Sequence, residues 1–206
     1  MYNDLPQKIN GKFKGKDIVS LDQFSKKDIE ILFLATSKMR KLVQAKGGSN
    51  LLKGKIMSAL FYEPSSRTFG SFVASIQRLG GGFIPLQGMG NSSVVKGESL
   101  EDTIQTFSSY SDVIVIRHSE VGAATIAASA TRLPVINAGD GIGEHPTQAL
   151  LDLYTIYEKH KKLDNLIGVL AGDIKNGRTA HSLIRGLSIF KKNVLYLLSP
   201  RKIRLS

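Results

Sequence analysis

Residues 55–79, KIMSALFYEPSSRTFGSFVASIQRL, set the architecture. Their first part, 56–62, is a short apolar run that reads as a buried strand, and 68–79 reads as a helix. A strand feeding a helix through a short polar loop is half of a βαβ unit. The same alternation recurs along the chain. Upstream, 21–45 begins at a cap and shows apolar side chains at helical spacing (Ile29, Leu32, Phe33, Ala35). Downstream, strands are predicted at 82–86, 112–116 (DVIVI), 133–137, 166–171 (LIGVLA) and 194–198, with helices at 99–110, 122–131, 146–161 and 179–190. Pro146 suits the first turn of its helix. The pattern predicts a doubly wound parallel α/β sheet domain over 1–150. The helix 146–161 then bridges outward to the start of a second α/β domain within 151–206. That second series holds two strands and one helix, too little to close a core of its own.

Composition narrows the class. The 206 residues are 42% hydrophobic and 22% charged, ordinary globular usage, which excludes a disordered or fibrous chain. The longest uncharged stretch, 79–95, contains consecutive glycines, a proline and an asparagine, so no membrane span is expected. The N-terminus lacks an apolar signal region, and a cytoplasmic location is expected. With no cysteine there is no disulfide framework, thiol nucleophile or Cys-type zinc site, and no metal is expected. The net charge of +11 is uneven: residues 1–158 carry 17 Lys/Arg against 15 Asp/Glu, and 159–206 carry 11 against 2. A nucleic-acid surface adds stacking aromatics to its basic face. Here only Phe190 and Tyr196 are aromatic in the basic quarter, and both lie in apolar runs that read as core. No nucleic-acid partner is expected.

In doubly wound sheets ligands sit outside the carboxyl ends of the strands. After the first strand comes Glu63-Pro64-Ser65-Ser66-Arg67-Thr68, which brings three hydroxyls, a guanidinium and free N–H groups to a helix N-terminus. That is an anion site by geometry; an ordinary Ser cap beside a solvated arginine is the alternative. Arg117-His118 follows DVIVI, where a buried cation needs an anionic ligand or a partner carboxylate such as Glu120. After 133–137, the glycines of 138–144 permit a tight approach, and His145 and Gln148 lie on the first turn of the following helix, where a histidine is also a common cap. Arg178 stands at the mouth of the next strand–loop–helix, which lacks the glycine spacing of a dinucleotide fingerprint, and no Walker sequence occurs. The polar, glycine-flanked loop 89–99 is too long for a simple connection; its Lys96 reads equally as a surface residue.

Phe61-Tyr62-Glu63-Pro64-Ser65-Ser66-Arg67-Thr68 resembles the carbamoyl-phosphate signature of the carbamoyltransferase family. Val115-Ile116-Arg117-His118, then His145-Pro146-Thr147-Gln148 with Leu151-Asp152-Leu153, and Gly172-Asp173 through Gly177-Arg178-Thr179-Ala180-His181-Ser182 follow in the family's order. The loop Ser92-Ser93-Val94-Val95-Lys96-Gly97-Glu98-Ser99 resembles the aspartate branch of the family; the ornithine branch is the alternative.

The resemblance implies that 1–150 binds carbamoyl phosphate and that 151–206 begins an aspartate-binding domain. The implied reaction transfers a carbamoyl group to L-aspartate, giving N-carbamoyl-L-aspartate and phosphate in pyrimidine synthesis. It needs no cofactor, because an amine attacks a carbonyl and phosphate leaves. By resemblance Ser65, Ser66, Arg67 and Thr68 hold the phosphate, and Thr68, Arg117 and His145 face the carbonyl oxygen. Gln148 holds the carbamoyl amino group, and Arg178 binds an aspartate carboxylate. Ser92 and Lys96 reach into a neighbouring subunit's site, which implies a homotrimer with shared active sites, with regulatory chains as further candidate partners. Family members continue past the point that corresponds to Ser206, so a shortened chain is expected. The acidic partners of 159–206 would lie in that continuation, and a non-catalytic, trimer-forming module is the competing class.

Overall fold

A computed structural model describes residues 6–88 and 97–204. Four parallel strands, β1 (Ile56–Phe61), β2 (Gly82–Gln87), β3 (Val113–His118) and β4 (Val135–Asp140), form one sheet in the order β2-β1-β3-β4. The helices α2 (Ser66–Arg78), α3 (Leu100–Ser108) and α4 (Ala123–Ser129) connect them. Strand side chains alternate between faces, and the core divides accordingly. Leu60, Ile114, Ile116 and Val135 pack with Ile104 of α3 and with Ala124 and Ala127 of α4. Met57, Ala59, Phe61 and Val115 pack on the other face with Ile76, Phe69 and Phe72 of α2. Both faces are covered, as a parallel sheet requires, and the layer is doubly wound as predicted. Pro85 is accommodated because β2 is an edge strand.

The chain order reverses between β1 and β3, so the topological switch point lies at their carboxyl ends. The far edge of β4 is closed by the N-terminal segment. Ile18 bridges Ile136 in parallel, donating from its N–H to Val135 O at 2.8 Å and accepting from Asn137 N–H at 2.8 Å.

The predicted helix over 21–45 is two elements. Ser20 caps a 3₁₀ turn at Leu21–Gln23, and Ser25 then starts α1 (Lys26–Lys46). The break follows from a capping box: the Ser25 side chain and the Asp28 carboxylate bond each other's backbone N–H. α5 (Pro146–His160) runs unbroken across residues 150 and 151 and leads to a second sheet, β5 (Ile167–Ala171) and β6 (Val194–Leu198), joined by α6 (Arg178–Ser188). One core unites α1, α5 and α6, where Ile9, Leu21, Phe24, Ile29 and Phe33 meet Ala149, Leu150, Leu153, Leu187 and Phe190.

Among the described residues the β5–β6 sheet is covered on the α6 side alone. Ile167, Val169, Tyr196 and Leu198 stand open on its other face, with Ile167 79% exposed. Phe190 is buried as predicted, whereas Tyr196 is 62% exposed. An apolar run shows that a strand forms, not that both of its faces are covered.

Candidate active site

The switch point gathers charge. Glu63 leaves β1 beside Arg117, which lies inside β3 with Phe61 as its register partner. Arg178 opens α6, and His145 is the N-cap of α5. Glu63 Oε1 accepts from Arg117 Nη2 at 2.8 Å and from Arg178 Nη2 at 2.9 Å, while Oε2 accepts from Arg178 Nη1 at 3.0 Å. Arg117 Nη1 also donates to Ala138 O at 3.1 Å, and Arg178 Nη1 to Gly141 O at 2.6 Å. The partner of the buried Arg117 is therefore Glu63 and not Glu120, whose own N–H donates to His118 Nδ1. Arg117 Nε is buried without a partner among the described residues.

Burial pushes Glu63 up, but the hydrogen bonds and charges of Arg178 and Arg117 outweigh it and hold its carboxyl below the usual range. One carboxylate against two guanidiniums leaves the cluster with a surplus positive charge, which suits an anionic ligand.

The side chains close around Gly139 of β4. Its φ of +116° is a backbone that L side chains rarely adopt. A Cβ there would lie 2.9 Å from Arg117 Nη1, 3.3 Å from Arg178 Cζ and 3.4 Å from His145 Cδ2. These contacts bring Arg117, Arg178 and His145 together over one bare patch of backbone.

His145 is 5% exposed. Its Nδ1 accepts from the Gln148 N–H at 3.4 Å, which places the ring proton of the neutral form on Nε2. Burial, reinforced by the Arg117 and Arg178 cations, lowers its pKa to about 4. In the unfolded chain a histidine binds its proton near pH 6.5. Between that pH and about 4 the unfolded state therefore holds more protons. The stabilisation is present in full above pH 6.5 and is lost as pH falls toward 4. Titration of the His145 ring by NMR is expected to show a midpoint well below that of a free histidine, and an ordinary midpoint would contradict the buried placement.

The phosphate candidates sit at the start of α2, three residues beyond Glu63. Its first backbone bond runs from Phe69 N–H to Ser65 O at 3.0 Å, and Ser65 makes no side-chain cap bond. The N–H groups of Ser66, Arg67 and Thr68 consequently face outward together at the positive end of the helix. Arg67 is exposed. The helix begins at Ser66 rather than Thr68, which puts both hydroxyls and the guanidinium in its first turn.

The aspartate/ornithine carbamoyltransferase carbamoyl-P binding domain matches residues 16–158. The chain belongs to this carbamoyltransferase family. It is similar to the aspartate carbamoyltransferase catalytic subunit of Thermococcus kodakarensis, 48% identical over 193 residues that cover 94% of this chain and 62% of the relative. It is also similar to the multifunctional protein pyr1-3 of Dictyostelium discoideum, 49% identical over 92% of this chain and 8% of that protein. Among solved structures, aspartate transcarbamoylase from Trypanosoma cruzi in complex with carbamoyl phosphate and aspartate superposes with a TM-score of 0.90. It is 43% identical over 98% of this chain and 67% of its own. The chain thus spans about 62% of the length of its Thermococcus relatives.

In this carbamoyltransferase chain the fold brings Arg117, His145 and Arg178 together, with Gln148 one turn along α5 from His145. Ser65, Ser66, Arg67 and Thr68 lie at the same end of the sheet. Ser92 and Lys96 lie outside the described residues. Glu63 and Gly139 are the site residues that sequence reasoning passed over. The available signal for Glu63 was a carboxylate at a strand end alongside two arginines, Arg117 at a strand end and Arg178 at a helix start. Two basic residues of 159–206 find their acidic partners within 1–158: Arg178 pairs with Glu63, and Arg185 with Glu144 at 2.9 Å. Among the described residues no cluster of three or more His, Asp or Glu gathers to hold a metal ion, and no helix is long and apolar enough to cross a membrane.

Proposed function

We propose that this chain binds carbamoyl phosphate and contributes that half of the site to carbamoyl transfer onto L-aspartate. The observation that carries the reading is the convergence of Arg117, His145 and Arg178 at the switch point, beside the uncapped N-terminus of α2. The similarity to T. cruzi aspartate transcarbamoylase in complex with carbamoyl phosphate and aspartate supports it, and the names of the curated relatives favour aspartate over ornithine.

Ser65, Ser66, Arg67 and Thr68 hold the phosphate against the N–H groups of α2. The aspartate amine attacks the carbamoyl carbon. As the carbonyl oxygen gains charge, the Thr68 hydroxyl, the Arg117 guanidinium and the Nε2–H of neutral His145 donate to it. Gln148 accepts from the carbamoyl amino group. Collapse of the tetrahedral intermediate breaks the C–O bond and expels phosphate, which takes up the proton shed by the attacking amine and whose charge Arg67 neutralises. Arg178 takes an aspartate carboxylate, with Glu63 holding its guanidinium in place. Residues 1–150 form the carbamoyl-phosphate domain and 151–206 the opening of the aspartate domain. Three copies share sites through Ser92 and Lys96, a cytoplasmic homotrimer open to regulatory chains; sedimentation velocity measures that state.

Calorimetric titration with carbamoyl phosphate, alongside a colorimetric assay for carbamoyl-aspartate, tests the reading. Binding of carbamoyl phosphate is expected, with poor turnover by this chain alone, since Arg178 by itself cannot orient a dicarboxylate and its amine. Absence of binding would overturn the carbamoyl-phosphate assignment.

A further inference from the structure

We infer that Asp152 is a positioning residue: it fixes which end of the Gln148 amide faces the substrate, and so makes the site prefer a carbamoyl group to an acetyl group. The inference rests on the carbamoyl-phosphate reading above and names what selects that ligand.

Gln148 and Asp152 lie four apart on α5 and share a face. Gln148 Nε2 donates to Asp152 Oδ1 at 2.9 Å. A side-chain amide has two chemically opposite ends, one donating and one accepting, and nothing in its shape decides between them. An ionised carboxylate only accepts, so the NH₂ end must turn toward Asp152. Oε1 is then the end left over, and no described residue donates to it. The backbone of Gln148 is pinned beside the site, its N–H shared between His145 O at 3.1 Å and His145 Nδ1 at 3.4 Å.

Carbamoyl phosphate and acetyl phosphate have nearly the same shape and differ in NH₂ against CH₃. An outward Oε1 accepts from the NH₂ and has nothing to accept from the CH₃. With the amide reversed, NH₂ would face NH₂ and the preference would vanish. The Gln148–Asp152 bond thus does more than brace a helix: it sets a donor–acceptor polarity one turn away.

The test is calorimetric titration of this chain with inorganic phosphate, carbamoyl phosphate and acetyl phosphate. The parent chain is expected to prefer carbamoyl over acetyl phosphate by about tenfold, one hydrogen bond's worth. In Asp152→Asn the new amide accepts either orientation of Gln148, so the preference falls by roughly half. In Asp152→Lys an ammonium donates to Oε1 and turns the wrong end outward, so the preference is lost. The added charge affects both ligands alike and cancels in the ratio. In a Gln148→Ala background neither Asp152 substitution changes the ratio further.

Full preference in Asp152→Lys with phosphate binding intact overturns the inference. If Asp152→Lys does not fold, an undiminished ratio in Asp152→Asn does the same. A further fall in the ratio in the Gln148→Ala background overturns it too, because Asp152 would then act on something other than Gln148. A parent chain that binds carbamoyl and acetyl phosphate equally overturns the inference and leaves the site reading standing. A parent chain that binds none of the three ligands overturns the site reading, and the inference with it.

Discussion

Arg67→Ala is expected to lower carbamoyl-aspartate formation by at least about two orders of magnitude, measured in a chain extended to the length of its relatives. In the 206-residue chain the same substitution is expected to weaken phosphate binding by about tenfold or more, since a charge-assisted hydrogen bond is lost. Arg67 stands in the first turn of α2, where Ser65 leaves the helix uncapped and the N–H groups of Ser66, Arg67 and Thr68 face outward. It is exposed, so removing it leaves no buried cavity and no buried charge, and the fold should persist. Arg67→Lys should recover only part of the loss, because an ammonium is a point charge and not a planar fork of donors. Near-normal turnover by Arg67→Ala would remove this loop from the site.

Gly139→Ala should do comparable damage without removing a single charged group. The new methyl would overlap Arg117 Nη1 at 2.9 Å and press on Arg178 Cζ and His145 Cδ2. It would also hold an L residue at a φ of +116°, which costs on the order of 1–3 kcal/mol. Displacing these donors together is expected to weaken carbamoyl phosphate binding by at least about a hundredfold. Gly172→Ala separates the two causes. Gly172 has a φ of +134° and nothing within 4 Å of a built Cβ. It should lose similar stability while leaving anion binding largely unchanged. Equal affinities in the Gly139→Ala and parent chains would show that the close approach at Gly139 is not what shapes the site.

Much of the layer was legible because apolar runs such as DVIVI are satisfied by burial in a sheet, where Ile114, Val115 and Ile116 lie. Their carboxyl ends were not. Arg117, His118 and Ala138–Asp140 read as loop because they are polar or small, yet they continue β3 and β4. A backbone ladder does not depend on side-chain polarity, and a strand that ends in a charged site stays a strand. The candidate residues themselves were legible through motif spacing. Their pairing was not, because Glu63 meets Arg178 across 115 positions of sequence. The opposite error came at Tyr196, where an apolar run promised burial and the sheet leaves that side open.

The parallel bridge between Ile18 and Ile136 carries a consequence for biosynthesis. The N-terminal segment is made first, but its docking strand does not exist until β4 has left the ribosome, 118 residues later by the spacing of the Asn137–Val19 contact. At roughly 5–20 residues per second, that leaves the early segment unpartnered for on the order of ten seconds. Phe33 of α1 waits longer still, for Leu187 and Phe190. During that interval Phe24 and the α1 residues Ile29 and Phe33 travel as an exposed apolar face on a nascent chain. Translation rate over 100–190, more than any property of the first forty residues, sets how long that face is open to holding chaperones and to neighbouring nascent chains.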